Sequence, residues 1–340
     1  MTPSVARRHG RPGPGLIASL VLVAAGALGA AGSGHAQWRP TERVTYLIGV
    51  APGGTVDLYA RGVKDQLEAL KLVNGQTVLP ENKVGAGGAL ALQALAQNAG
   101  NGHWLATFHT GAIAGAVTGL IKADVRQFPP VAMLVEETAV VAVRADSPVK
   151  TATDLVAALK GNAASLKIAV APALGQNTHL AIAKPLKVAG VAIDKLTIAP
   201  FRSSGESVNA LLGGHVDVVS ATAPAVVPHV LAGKLRIVAS AAPERGTGPL
   251  AEVKTWREQG VAADYVSYNG VMLAPKATAE QQAFWEAALA RVAQSPEWQA
   301  LVQKSGNKPI FRGRDESLKY FEAEWKATVE LAHELGLAAR

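Results

Sequence analysis

Two short loops hold the residues best suited to grip a ligand. In the first, Pro52, Gly53, Gly54 and Thr55 follow the β-branched run 44–50 (VTYLIGV) and precede Val56, Tyr59, Ala60, Val63 and Leu67 at helical spacing. Glycines at such a turn let the backbone approach a bound group, and the helix start adds N–H donors with partial positive charge, a seat for an anion. The same turn is equally the tight connection of any α/β unit, and on the loop alone both readings stay open. Asp57 reads as a helix-start carboxylate receiving nearby N–H groups. In the second loop, Gly175, Gln176, Asn177 and Thr178 lead into His179, which opens a helix and is placed to line a site.

Other chemistries lack their residues. The chain has no Cys, which excludes disulfides, thiolate metal sites, a cysteine nucleophile and an N-terminal lipid-modified cysteine. Beyond the leader, His103, His109, His179, His215, His229 and His333 show no H-x-x-x-H spacing and no accompanying carboxylate cluster, so no metal and no cofactor is implied. Gly85, Gly87 and Gly88 are spaced G-x-G-G rather than G-x-G-x-x-G, and no G-K-[ST] occurs, which argues against a nucleotide. There is no G-x-S-x-G, and Ser203-Ser204-Gly205-Glu206-Ser207 has no adjacent base.

The chain that must position these loops has 340 residues, 49% of them apolar, enough for two domains. Only 5% are aromatic, so the core is built mainly from Ala, Val and Leu. Arg7, Arg8 and Arg11 precede an uncharged run, Leu16 to Ala31, and the small residues Gly32 to Ala36, the pattern of a signal peptide cleaved near Ala36. The run is shorter than the roughly 20 residues that span a bilayer, and the Arg7-Arg8 pair does not itself distinguish twin-arginine from general export. Cleavage would take three arginines and no acid from a formal charge of +7, leaving +4. With no run of four or more basic residues and no aromatic interleaving, nucleic-acid binding is not supported. A small positive surplus suits an anionic small molecule.

Strand, glycine turn and helix recur. Residues 77–79 read as strand, 81–88 as loop and 89–98 as an alanine-rich helix; 104–108 is a further strand ending at His109, Thr110 and Gly111. The order predicts a parallel sheet covered by helices. The apolar stretch 131–143 is long enough to cross between two domains. A second β/α set follows, with strands at 166–171, 196–199, 216–219 and 235–240, and 266–273 is the expected return. In the tail, Leu318, Phe321, Trp325, Thr328 and Ala332 share a helical face, with Asp315 placed as cap and Gly336 as stop. Two crossings imply two lobes, a hinge and a cleft, a favoured place for a ligand.

Six segments in this order, IGVAPGGTVDLYAR (48–61), VLPENKVGAGGALA (78–91), GQNTHLA (175–181), LLGGHVDVV (211–219), PHVLAGKLRIVA (228–239) and NGVMLAPKAT (269–278), resemble the TctC/Bug family, the extracytoplasmic solute-binding proteins of tripartite tricarboxylate transporters. The resemblance implies an α/β, two-lobed periplasmic binding fold of Venus-flytrap type II, with lobe 1 at 37–138 and 270–340 and lobe 2 at 139–269. It implies a periplasmic, monomeric receptor that takes a small carboxylate and delivers it to membrane permease subunits. By position, Pro52, Gly53, Gly54 and Thr55 would hold one carboxylate, Gly175 to His179 would face it, Thr110 and Gly111 would line the wall, and Phe201 and Arg202 stand where the family often has Tyr-Lys. After VDVV the family commonly places an acid near the ligand; here Ala221 occupies that position, followed by Thr222, which disfavours amino-acid ligands. The alternatives are an exported α/β hydrolase or lyase using His179 or His109 as base, and a receptor that serves a signalling protein.

Overall fold

The computed structural model describes residues 1–4, 38–128 and 130–338; from residue 5 onward the leader read at 1–36 lies outside the described residues. Beyond it the chain lays down β1 (Val44–Ile48), α1 (Thr55–Ala69), β2 (Val78–Asn82), α2 (Ala89–Ala96), β3 (Trp104–His109), α3 (Thr110–Val117) and β4 (Pro130–Glu137). It continues through β5 (Ala139–Arg144), α4 (Ala152–Gly161), β6 (Lys167–Val170), α5 (Asn177–Val188), β7 (Thr197–Pro200), α6 (Ser204–Leu212), β8 (Val218–Thr222), α7 (Ala223–Leu231) and β9 (Leu235–Ser240). It closes with β10 (Ser267–Leu273), α8 (Ala279–Gln294), α9 (Pro296–Lys304), β11 (Lys308–Arg312) and α10 (Arg314–Glu334).

Apolar runs without alternation become strands buried on both faces: every residue of β1 is buried, as are nearly all of β4 and β5. The strands form two sheets, in the orders β11-β4-β10-β3-β1-β2 and β7-β6-β8-β5-β9. Within them β2, β1 and β3 are parallel, and so are β7, β6 and β8, as the β/α alternation predicts. Both sheets are nevertheless mixed. β10 runs antiparallel to β3 and β4, and β5 antiparallel to β8 and β9. The physical reason is that a chain arriving from the other lobe enters at the edge where the parallel strands end, and so must run against them.

The apolar stretch 131–143 is two strands rather than one. Thr138 separates them, its N–H donating to the side-chain oxygen of Asn307 at 3.1 Å and its carbonyl accepting from Ala223 at 3.0 Å. One residue is thus held from both lobes. The returning chain is taken up by the first sheet at Ser267, level with Glu137.

The helical tail does more than return to the first lobe. Phe321 packs with Phe108 and Met133 in the first lobe, whereas Leu331 packs with Leu180 and Leu186 in the second. Lys187 of α5 pairs with Glu334. α10 therefore splints the hinge side of both lobes. Its cap is Gly313 rather than Asp315, which sits in the first turn, and the first amide is met by Glu286 of α8 at 3.0 Å. Gly336, at φ 66°, ends it.

Gly270 lies where β10 shifts register against β4. A Cβ there would overlap the carbonyl oxygen of Ala132 and approach the Cα of Met133 to 2.9 Å. These are backbone atoms that cannot rotate aside. Gly270→Ala is expected to lower stability by about 1–3 kcal/mol, as overpacked cores do, seen as a reduced urea midpoint at unchanged slope; an unchanged midpoint would refute this tight approach.

Candidate ligand-binding cleft

Strand register decides which edges face each other. Glu137 ends β4 level with Ser267, and His109 ends β3 level with Asn269. Ala139 opens β5 level with Thr222, the end of β8. With one residue between Glu137 and Ala139, the carboxyl ends of β1 to β3 and of β6 to β8 look onto a common cleft, the position at which open α/β sheets take ligands. The helices that follow those strands, α1, α2, α3, α5, α6 and α7, begin there.

In the first loop Pro52, Gly53 and Gly54 are exposed and Thr55 half-buried. Gly53, at φ +83°, is the position that needs glycine; Gly54 is extended (φ −80°, ψ 168°) and caps α1. The Gly53 N–H donates to Asp57 Oδ2 at 2.9 Å, so this donor is already spent. Asp57 also accepts from Arg61 at 3.0 and 3.1 Å and from Asn82 Nδ2 at 2.9 Å, and Asn82 donates to the Val50 carbonyl as well. Burial pushes the Asp57 carboxyl up, but the Arg61 hydrogen bond, the Gly53 N–H and the Asn82 amide together hold it below the ordinary carboxylate range. Asp57 shapes the loop, and among the described residues no hydrogen bond is donated by the amides of Gly54 and Thr55. Asn82, at the end of β2, went unnoticed in the sequence because nothing local marks it.

The second loop is buried. Thr178 Oγ1 accepts from the Ala171 N–H at 2.8 Å and donates to the Ala171 carbonyl at 2.7 Å, so its hydroxyl closes its own turn. His179 Nδ1 accepts from the Gly175 N–H at 2.8 Å, which puts the proton on Nε2, a buried donor with no partner among the described residues. Gln176, 1% exposed, reaches across to α3 and packs on Gly111 and Gly115, where a Cβ would meet its amide at 3.1 and 2.9 Å. Asn177 donates to Ser267 Oγ at 2.9 Å and accepts from Tyr265 at 3.3 Å, both on the returning chain.

Thr110 is also claimed, accepting from the Tyr268 N–H at 2.9 Å and pairing with the Tyr320 hydroxyl at 3.0 Å. Gly111 and the Gly175–His179 loop are thus brought together, while no hydrogen bond joins 52–55 to that loop among the described residues. Phe201 and Arg202 line a crevice of about 650 Å³ with Thr118 to Leu120 and Pro172 to Leu174. Ala221 is fully buried in the second-lobe core with Val140 and Val219, so its methyl has no surface to offer a ligand and an acidic side chain there would point into the core. Thr222, half-buried, is the cap of α7.

Most helices of the cleft begin without a side-chain cap. α1, α2, α3, α5 and α7 have none, nor has α10 outside the cleft, whereas α4 and α8 carry capping boxes and α9 a serine cap; α6, capped by Ser203, is the exception in the cleft, and at α7 the Ala223 N–H is already bonded to Thr138 and Pro224 has no N–H to give. Unclaimed N–H groups at positive helix ends favour a bound anion. Burial pushes both His109 and His179 down to about 4, leaving neutral imidazoles that are poor bases near neutral pH. Among the described residues no group of three or more His, Asp or Glu can hold a metal ion, and no helix is long and apolar enough to cross a membrane.

Two α/β lobes joined by a short crossing, with helix starts at their facing sheet edges, form a periplasmic binding protein fold, and solved proteins share it. MatC from Rhodopseudomonas palustris, with bound malate, is 26% identical with a TM-score of 0.71, covering 86% of this chain and 99% of its own. Another R. palustris protein, solved with adipate, is 24% identical with a TM-score of 0.77, covering 88% and 99%. The model of the TctC family, described as the tripartite tricarboxylate transporter family receptor, matches residues 60–337, and the chain belongs to that family. A Cupriavidus necator relative, described as UPF0065 protein in gbd 5'region, is 29% identical over 335 residues, 98% of each chain. The chain is therefore a substrate-binding receptor and not an enzyme.

The hinge carries a second group that the sequence reading passed over, although its signal was present as an acid inside an apolar run. Glu137 is 6% exposed, its carboxyl accepts from Asn269 at 3.4 Å and from no other side chain among the described residues, and burial pushes it up to about 7. Glu324 on α10, near Lys184 and bonded by Thr328, is raised to about 7 by burial as well.

Two outcomes follow from these carboxyl groups. Asp57→Ala is expected to cost about 1–3 kcal/mol at pH 7. Because a depressed carboxylate stabilises above its unfolded pKa and loses that contribution as pH falls through its folded one, the deficit should shrink below pH about 4; a deficit independent of acid would exclude the ionic network. Glu137 has the opposite sign. Its raised folded pKa gives a contribution fully present below about pH 4.3 and lost as pH rises through 7. Wild type should therefore lose stability relative to Glu137→Gln between pH 5 and 8 in urea titrations, and parallel profiles would show that Glu137 does not titrate in this way.

Proposed function

We propose that this chain is exported to the periplasm, holds a small carboxylate between its lobes and delivers it to the membrane permease of a tripartite tricarboxylate transporter. The observation that carries the reading is the set of uncapped helix starts, those of α1, α3 and α5, on facing sheet edges. Backbone amides at helix ends recognise a carboxylate without a dedicated cation and leave it chemically unaltered. The two low-pKa histidines add a neutral donor rather than a base. MatC, a structural relative, was solved with malate, a small carboxylate, which supports the ligand class.

In this reading the lobes are an open–closed pair, and ligand shifts the population by binding the closed arrangement better. Mass action gives about 2.7 kcal/mol of stabilisation at a hundredfold excess over the dissociation constant. A thermal-shift screen of the purified protein against small carboxylates is expected to show a rise of several degrees for at least one, with the acid recovered unchanged. No shift across the panel, or conversion of the acid, would overturn the proposal.

A further inference from the structure

The two sheets meet at the crossover through β4 and β10 on one side and β5 on the other, so β2 and β7 stand at the ends farthest from the hinge. The crevice of about 650 Å³ lies there, at the mouth of the cleft. Pro172 to Leu174 and Pro200 to Arg202 come from the loops after β6 and β7, Thr118 to Leu120 from the end of α3, and Leu337 from the tail. Leu120 also lies against the β2–α2 turn, where a Cβ at Gly87 would meet its side chain at 3.0 Å. Its volume falls in the range that takes drug-sized ligands and exceeds what a four-carbon acid fills.

Its lining is mainly apolar and carries no net charge. Leu120 and Leu174 are 39% and 40% exposed, large aliphatic side chains left facing an open crevice, and Phe201, Pro172 and Pro200 join them. An apolar body seated in the crevice would cover these side chains, and the gain would grow with the area removed from water. The ionisable residues lining the crevice, Arg202 and Glu206, pair with each other at 3.4 Å and cancel. A polyacid would bring several charges against this wall with no net positive charge to offset their desolvation.

Resting on the carboxylate-receptor reading above, we propose that the ligand is a monocarboxylate with a sizeable apolar body: the uncapped start of α5, where Gly175 abuts Thr118 and Leu337 of the crevice, holds its carboxylate, and the crevice formed by Leu120, Leu174, Phe201 and Leu337 takes the body. Rejection of polyacids then comes from the neutral apolar mouth, and preference grows with the apolar area buried.

Calorimetric titration of the purified protein with 4-phenylbutyrate, hexanoate, malate and citrate tests this. The aryl or alkyl acid is expected to bind at least about tenfold more tightly than malate or citrate. Leu120→Asn and Leu174→Asn, both at half-exposed positions, should weaken 4-phenylbutyrate by about tenfold with an unchanged circular-dichroism melt. Malate or citrate binding as tightly as the apolar acids overturns the apolar preference while leaving the receptor reading intact. Undiminished 4-phenylbutyrate binding by both variants removes the crevice from the site. Binding of none of the four overturns the proposal, and the receptor reading falls with it only if the wider carboxylate screen is also silent.

Discussion

Everything in this molecule hangs on the short crossing at Thr138. A single residue separates the last residue of β4 from the first of β5, and it is held by Asn307 of one lobe and Ala223 of the other. So short a link leaves the sheets no choice of relative placement at that point. The edges bearing Glu137 and Ala139 must adjoin, and the parallel strands in each sheet end at those same edges. From this follow the cleft, the antiparallel entry of β5 and β10, and the convergence of helix starts.

The constraint also explains where polar groups are spent and where they are spared. Asp57, Asn82 and Arg61 use their hydrogen bonds on holding the first loop, Thr178 uses its own on fixing its turn, and Thr110 ties the start of α3 to β10 and α10. What remains unspent is main chain at helix starts, together with Nε2 of a neutral His179 and Nε2 of Gln176, both buried without a partner among the described residues. Most of the other polar side chains in these loops build the scaffold. Such a division makes the grip generic and puts discrimination into the walls.

Closure in such a fold works against α10, which packs on the cores of both lobes. Motion about the crossings must repack its junction with α5 and the returning chain, where Tyr265, Asn177 and Ser267 share hydrogen bonds. Glu137, buried, and Glu324, half-buried, are both raised toward neutrality and flank that junction, so hinge energetics carry a pH dependence near neutrality.

Much of this was legible in the sequence, because the signals were local. The strand, glycine turn and helix repeats gave the α/β class and the two crossings, and six ordered segments gave the family resemblance. Local patterns also placed the loops at 52–55 and 175–179 on strand ends, since a glycine turn before an amphipathic helix has few other uses. They said nothing of what the side chains in those loops touch. That Thr178 bonds Ala171, that Ala221 lies in the core, that Gln176 crosses to α3 and that Asn82 completes the Asp57 network depend on partners up to about sixty residues away or on which face of a strand turns inward. The sequence by itself determined the elements and their order, because these rest on periodicity and backbone freedom. Only the tertiary structure decided which donors are left unspent and what lines the mouth, because both are set by contacts between lobes that no local pattern encodes.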